Sequence, residues 1–169
     1  TLTLSRPAAA PELVFGGMMR HDMLTMVFRV LFLFAALIVS VVSLDVKGLG
    51  DRGAYYALLL IATLGLNLIA AAADLIMVYL ALETASIALY LLAGYLRENA
   101  RSAEAGIKYF LFGSFTSTVL LYGFSLLFGF SGGETSLYAL AGALAAHGVP
   151  PAVLVIAVML SLVGFGFKI

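Results

Sequence analysis

The sequence predicts an all-α, polytopic transmembrane helix bundle with about five spans, and three observations predict it. Of its 169 residues, 63% are hydrophobic and 11% charged, where a soluble domain has about half and about a quarter. The mean hydropathy is +1.13, and a chain this small has no interior able to hide so much apolar surface, so lipid must cover it. The apolar residues are also gathered into runs close to the roughly 20 residues that a helical span requires.

Residues 1–26 read as an extramembrane N-terminal flank and 27–169 as the bundle. The first span covers about 27–44 (VFRVLFLFAALIVSVVSL), with Arg29 close enough to its start to snorkel. The second covers about 54–73 and the third about 75–96. Asp74 is the only charge between them, so they form an antiparallel hairpin in which Asp74 caps the third helix. The fourth span covers about 105–130, with Ser102 as a candidate N-cap and Glu104 in its first turn. Its small residues Gly106, Gly113, Ser114, Ser117 and Thr118 mark a face suited to close helix approach. SGGETS (131–136) is a turn, and LYALAGALAAH (137–147) is too short to span and reads as an interfacial or re-entrant segment. The fifth span, about 151–169, follows Pro150-Pro151, and Gly164 and Gly166 offer a place for it to break.

Loop charges suggest an orientation. The linkers DVKGLGDRG (45–53) and RENARSAE (97–104) share one side and carry Lys47, Arg52, Arg97 and Arg101, against Arg6, Arg20 and Arg29 on the other. By the positive-inside rule the linker side is cytoplasmic, or its matrix or stromal equivalent. The chain begins at Thr1 without a signal-peptide pattern and stops at GFGFKI inside an apolar run. It is therefore expected to be a piece of a longer protein.

Composition narrows the chemistry. Nine basic and nine acidic residues leave no net charge, so there is no electrostatic case for a nucleic-acid partner. With no cysteine, disulfides, iron–sulfur clusters and thiol-bound metals are excluded within this chain. His21 and His147 are far apart in expected loops, so no metal site is predicted. No nucleophile triad, phosphate loop or nucleotide fingerprint appears.

What remains is charge inside the membrane: Glu83, Lys108 and Lys168. A charge at the bilayer centre costs on the order of 3 kcal/mol even on lenient scales. Glu83 lies about nine residues, hence some 13 Å, into its span. It reads either as a buried carboxylate that pairs helices or as a proton- or ion-handling group, and the two are compatible. Lys108 is only a turn inside its span and reads equally as a snorkelling lysine. Because it starts nearer the linker face than Glu83 does, a water-linked relationship between them is expected over a tight ion pair. Lys168 lies too deep to snorkel easily. Carboxylate and ammonium groups at these depths are the parts of a proton relay.

The blocks LETASIALYLLAGY, RSAEAGIKYFLFGSFTSTVLLYGFSLLFGFSG and LVGFGFKI, in this order and spacing, resemble a known family. They are similar to the antiporter-like membrane subunits of proton-pumping NADH:quinone oxidoreductase (respiratory complex I), specifically the subunit N type. The resemblance implies that Glu83 and Lys108 form an input pair that modulates Lys168, the proton site on a broken helix. It implies spans three to seven of a longer subunit built on inverted repeats. It implies no cofactor in this chain, with flavin, iron–sulfur clusters and quinone in partner subunits. The implied partners are other membrane subunits of complex I and the lipid bilayer, in a bacterial inner (plasma) membrane or a mitochondrial inner or thylakoid membrane. The chain departs from the family at Thr84-Ala85, where bulkier residues are commoner. Two other readings compete: a subunit of an Mrp-type cation/proton antiporter, and a structural anchor whose charges only join helices.

Overall fold

A computed structural model describes residues 12–46 and 53–168. Lys47, Arg52 and Arg6, used above for orientation, lie outside the described residues, as does most of the first linker. A short hairpin, β1 (Glu12–Val14) and β2 (Met19–His21), precedes six helices. These are α1 (Met23–Ser43), α2 (Gly53–Ala71), α3 (Leu75–Ala93), α4 (Ala100–Phe130), α5 (Leu140–Ala146) and α6 (Pro151–Lys168). All but α5 are long and apolar enough to cross a membrane, and the protein is a polytopic transmembrane bundle.

Three helix starts have a local cause. Asp22 caps α1 by accepting from the Thr25 backbone N–H at 2.7 Å. Burial pushes the Asp22 carboxyl up, but the Thr25 hydrogen bonds and the charges of Arg20 and His21 more than offset it and hold it below its ordinary value. Asp74 caps α3, accepting from the backbone of Ile76 and Met77. The α4 cap is Asn99 and not the expected Ser102. Ser102 instead donates to the Ala93 carbonyl and accepts from the Leu96 N–H, so its hydroxyl ties the end of α3 to the start of α4. α4 has 31 residues, about 46 Å, longer than a hydrocarbon core of about 30 Å. Its first turns therefore overhang beside the polar linker.

The hairpin is a feature the sequence reading lacks. The α2–α3 break exposes backbone groups that need partners, and two other segments supply them. Ala73 N–H donates to the Met18 carbonyl, Leu75 N–H to that of Thr135, and Leu137 N–H to that of Ala73. One end of the bundle is thus stitched together by backbone pairing among the hairpin, the break and the turn after α4.

The core lies between α3, α4 and α6, where Leu75, Leu82, Leu120, Phe124, Leu127 and Ala157 meet. α1 stands apart from it and buries only Thr25 and Ser43. Thr25 donates to the Ala70 carbonyl, and Ser43 shares a hydrogen bond with Tyr55 at 2.8 Å. Its exposed Val, Leu and Phe side chains suit lipid or further helices. Of the small residues on α4, Gly113 and Ser117 are buried at the interface and Gly106 abuts Gly94. Ser114 and Thr118 turn their hydroxyls onto carbonyls of their own helix. α6 runs without a break through Gly164 and Gly166 to Lys168. Gly164 serves packing instead, since a Cβ there would stand 2.4 Å from the Leu120 Cβ.

α2 meets α3 at an equally tight point. A Cβ on Gly65 would come within 2.5 Å of the Ala85 backbone nitrogen, which no rotamer change can relieve. Gly65→Ala is expected to cost about 1–3 kcal/mol of stability, the range for overpacking. Gly129→Ala, where no neighbouring atom lies within 4 Å, should be neutral or slightly stabilising. Thermal denaturation of the two variants in detergent checks the contrast.

Candidate functional site

The pattern E-x-x-S-x-x-x-Y in α3 places Glu83, Ser86 and Tyr90 on one helical face by its three- and four-residue spacings. α4 is antiparallel to α3 and brings Ser117 to the same level. The close packing of α6 on α4 carries Lys168, at the last turn of α6, to the other side of this face. The three helices converge on one ammonium group.

Lys168 Nζ donates to the Ser86 hydroxyl oxygen at 2.7 Å and to the Tyr90 hydroxyl oxygen at 2.7 Å. It lies 3.5 Å from Glu83 Oε1 and 5.3 Å from the centre of the Tyr90 ring. An ammonium has three N–H donors, and three oxygens surround it. Glu83 Oε1 in turn accepts from the Ser117 hydroxyl at 2.6 Å. The lysine side chain is 7% exposed and the glutamate 23%. A buried charge is tolerated only when paired and hydrogen-bonded, and both conditions hold here.

Lys108 stands elsewhere. Its ammonium pairs with Glu104 one turn earlier on α4, and both side chains are more than half exposed. The expected relationship between Glu83 and Lys108 is therefore replaced by the Glu83–Lys168 pair. Helical geometry gives the reason: nine residues separate Lys108 from Ser117, about 900° of rotation at 3.6 residues per turn, which sets the two on opposite sides of α4. The structure thus joins Glu83 to Lys168 and leaves Lys108 outside. Ser86, Tyr90 and Ser117 are the site residues that the sequence reading passed over. Ser86 and Tyr90 were visible as hydroxyls at helical spacing from Glu83. Ser117 carried a signal only as a small residue.

Chemically, the arrangement is a chain of groups able to hold or pass a proton, running Ser117–Glu83–Lys168–Ser86/Tyr90. Among the described residues, no three His, Cys, Asp or Glu side chains gather to hold a metal ion.

Comparison with known proteins identifies the family. Residues 72–169 match the family model described as NADH:quinone oxidoreductase/Mrp antiporter, TM. The chain is 39% identical to NADH-quinone oxidoreductase subunit N 1 of Roseiflexus castenholzii, over 99% of this chain and 34% of the relative. It is 43% identical to NADH-quinone oxidoreductase subunit N of Desulfitobacterium hafniense, over 90% of this chain and 31% of the relative. The chain thus spans about a third of the length of these curated relatives. Among solved structures it resembles a chain of respiratory complex I from Thermus thermophilus, with a TM-score of 0.72 and 34% identity over 94% of this chain and 33% of that one. An archaeal membrane-bound sulfane sulfur reductase gives the same TM-score at 21% identity and shares the fold.

The Ser117–Glu83 bond crosses from α4 to α3 and is testable alone. Hydrogen bonds to charged groups contribute about 1.5–3 kcal/mol. Ser117→Ala combined with Glu83→Ala in a double-mutant cycle should reveal a coupling of at least about 1 kcal/mol by thermal denaturation. Strict additivity would show that the bond contributes nothing.

Proposed function

The chain belongs to the NADH:quinone oxidoreductase/Mrp antiporter transmembrane family, and on that footing we propose that it forms part of a proton-translocating subunit in the membrane arm of an NADH:quinone oxidoreductase. Protons pass by way of Glu83 and Lys168, driven by quinone reduction elsewhere in the complex. The observation that carries this reading is the buried Glu83–Lys168 pair with its hydroxyl ligands. The names of the relatives from Roseiflexus and Desulfitobacterium favour the oxidoreductase over an Mrp-type cation/proton antiporter. The chain has no cysteine with which to ligate an iron–sulfur cluster, so electron transfer belongs to partner subunits that hold flavin, clusters and quinone. In this reading the other membrane subunits of the complex are its partners and a bacterial plasma membrane its setting.

The mechanism follows from the electrostatics of the pair. At 3.5 Å and an effective dielectric of about 20, the two charges attract by about 5 kcal/mol. In this reading Glu83 is the counter-charge of the Lys168 ammonium. Neutralising Glu83 or drawing it aside removes that counter-charge, and this is the lever by which the relay acts on Lys168. The Ser117 hydroxyl holds the carboxylate in orientation between events. Lys108 with Glu104 forms a separate, exposed pair on α4.

Glu83→Gln or Lys168→Ala in the full-length subunit should lower proton pumping severalfold, with quinone reduction falling alongside it, while the complex still assembles. Lys108→Ala should have the smaller effect, since its exposed partner is replaceable by water. Dye-monitored pumping in vesicles, measured together with NADH oxidation, reads both. Pumping at the wild-type rate by Glu83→Gln and Lys168→Ala would sink the relay.

A further inference from the structure

Among the described charges inside the spans, Glu83 pairs with Lys168 and Lys108 with Glu104, while Arg29 on α1 has no counter-charge. No described carboxylate lies within 4 Å of its guanidinium, and no described group hydrogen-bonds to it. α2, the helix against which α1 packs, carries no acidic residue. The carboxylates at this end of the bundle are otherwise placed. Asp22 caps α1, Asp74 caps α3, Glu134 accepts from the Ser136 N–H, and the exposed Glu12 lies opposite His21 in the hairpin. A guanidinium stays charged at any working pH and offers five N–H donors, for which apolar surroundings supply no acceptor.

The position of Arg29 says where an acceptor can be found. It lies six residues, about 9 Å, past the start of α1 at Met23. Helical side chains tilt toward the N-terminus of their helix, which aims this long stem at the nearer end of the span, where headgroups begin. A second arginine stands at the same end. Arg20 Nε is 3.6 Å from Asp22 Oδ2, beyond the usual hydrogen-bond range, and is buried without a partner. Asp22 and Arg29 are seven residues apart, hence about two turns and 10 Å along one face. Past Arg29 the helix exposes Val30, Leu33, Phe34 and Leu37. Unused N–H donors at the interface, with an apolar strip running inward from them, match the two parts of a phospholipid.

We propose that Arg29, with Arg20 as a second donor, holds the phosphate of an anionic phospholipid whose acyl chains lie along the exposed face of α1. Charge complementarity selects this partner. The planar guanidinium binds a phosphate through two parallel N–H···O bonds, and a lipid with net negative charge balances the cation that the protein leaves unbalanced. A zwitterionic lipid brings an ammonium of its own and does not. The role is separate from the proton relay, because Arg29 stands on α1, outside the junction of α3, α4 and α6.

The test uses the intact complex, with the full-length subunit, in nanodiscs of phosphatidylcholine doped with a photoactivatable lipid. Photoactivatable phosphatidylglycerol should label peptides from α1. An equal dose of photoactivatable phosphatidylcholine should label them about fivefold less, the factor that one arginine near a membrane surface contributes. Arg29→Gln should lower the phosphatidylglycerol label by about the same factor, and Arg29→Lys, which keeps the charge, should retain most of it. Arg20→Gln should have the smaller effect. The comparison of the two lipids on the wild-type complex decides the matter even if Arg29→Gln lowers the amount assembled. Equal labelling by the two lipids, undiminished labelling of Arg29→Gln, or no label on α1 from either lipid overturns the inference. The last result would assign Arg29 to a carboxylate of a neighbouring protein segment instead.

Discussion

A lysine ammonium inside an apolar bundle must find its hydrogen-bond acceptors within the protein, because neither lipid nor packed side chains supply any. The architecture around Lys168 follows from that requirement. Ser86, Tyr90 and Glu83 all come from α3, so one helical face serves as the receptor for a charge delivered by another helix. Glu83 has its own need for donors, and Ser117 on α4 meets part of it. The site is thus a three-helix junction held by polar contacts.

The surrounding backbone is arranged to hold these contacts. Glycine and alanine let α2 approach α3 at Gly65 and Ala85, and α6 approach α4 at Gly164. Close-packed interfaces do not deform continuously, so the levels of Glu83, Ser117 and Lys168 are fixed by the packing a turn or two away. Backbone pairing at the α2–α3 break holds the opposite end of the bundle. α1, with few buried residues, contributes little to the site and presents most of its apolar surface outward.

Much of this was legible in the sequence because lipid imposes a simple grammar. Spans show as apolar runs, and charges inside them stand out: Glu83 and Lys168 could be singled out without any structure. The Asp74 cap was legible too, as a lone charge between two spans. Other features depend on rotation about helix axes, which composition does not reveal. Lys108 looked like a partner for Glu83 by depth, but the helical wheel turns it to the far side of α4. Ser102 looked like a cap, yet Asn99 takes that place and Ser102 bonds backwards to α3. Gly164 and Gly166 suggested a break, although one of them is used for close contact and α6 stays helical to Lys168. The hairpin was hidden because its pairing partners are distant in sequence.

The packing also decides which part of the site can move. Because Gly164 lies against Leu120 one turn before Lys168, the backbone of α6 cannot slide without a clash over most of its contact with α4. The lysine stem, by contrast, has four methylenes and extends beyond that contact. In the proposed relay, a change in the charge of Glu83 would therefore reorient the Lys168 side chain among its oxygens, with the helices staying in place. Such rotamer changes take far less time than collective helix motions, and they leave the three-helix junction intact. A buried pair built this way can be opened and closed repeatedly without unpacking the bundle, because the groups that change partners are separate from the groups that hold the helices together.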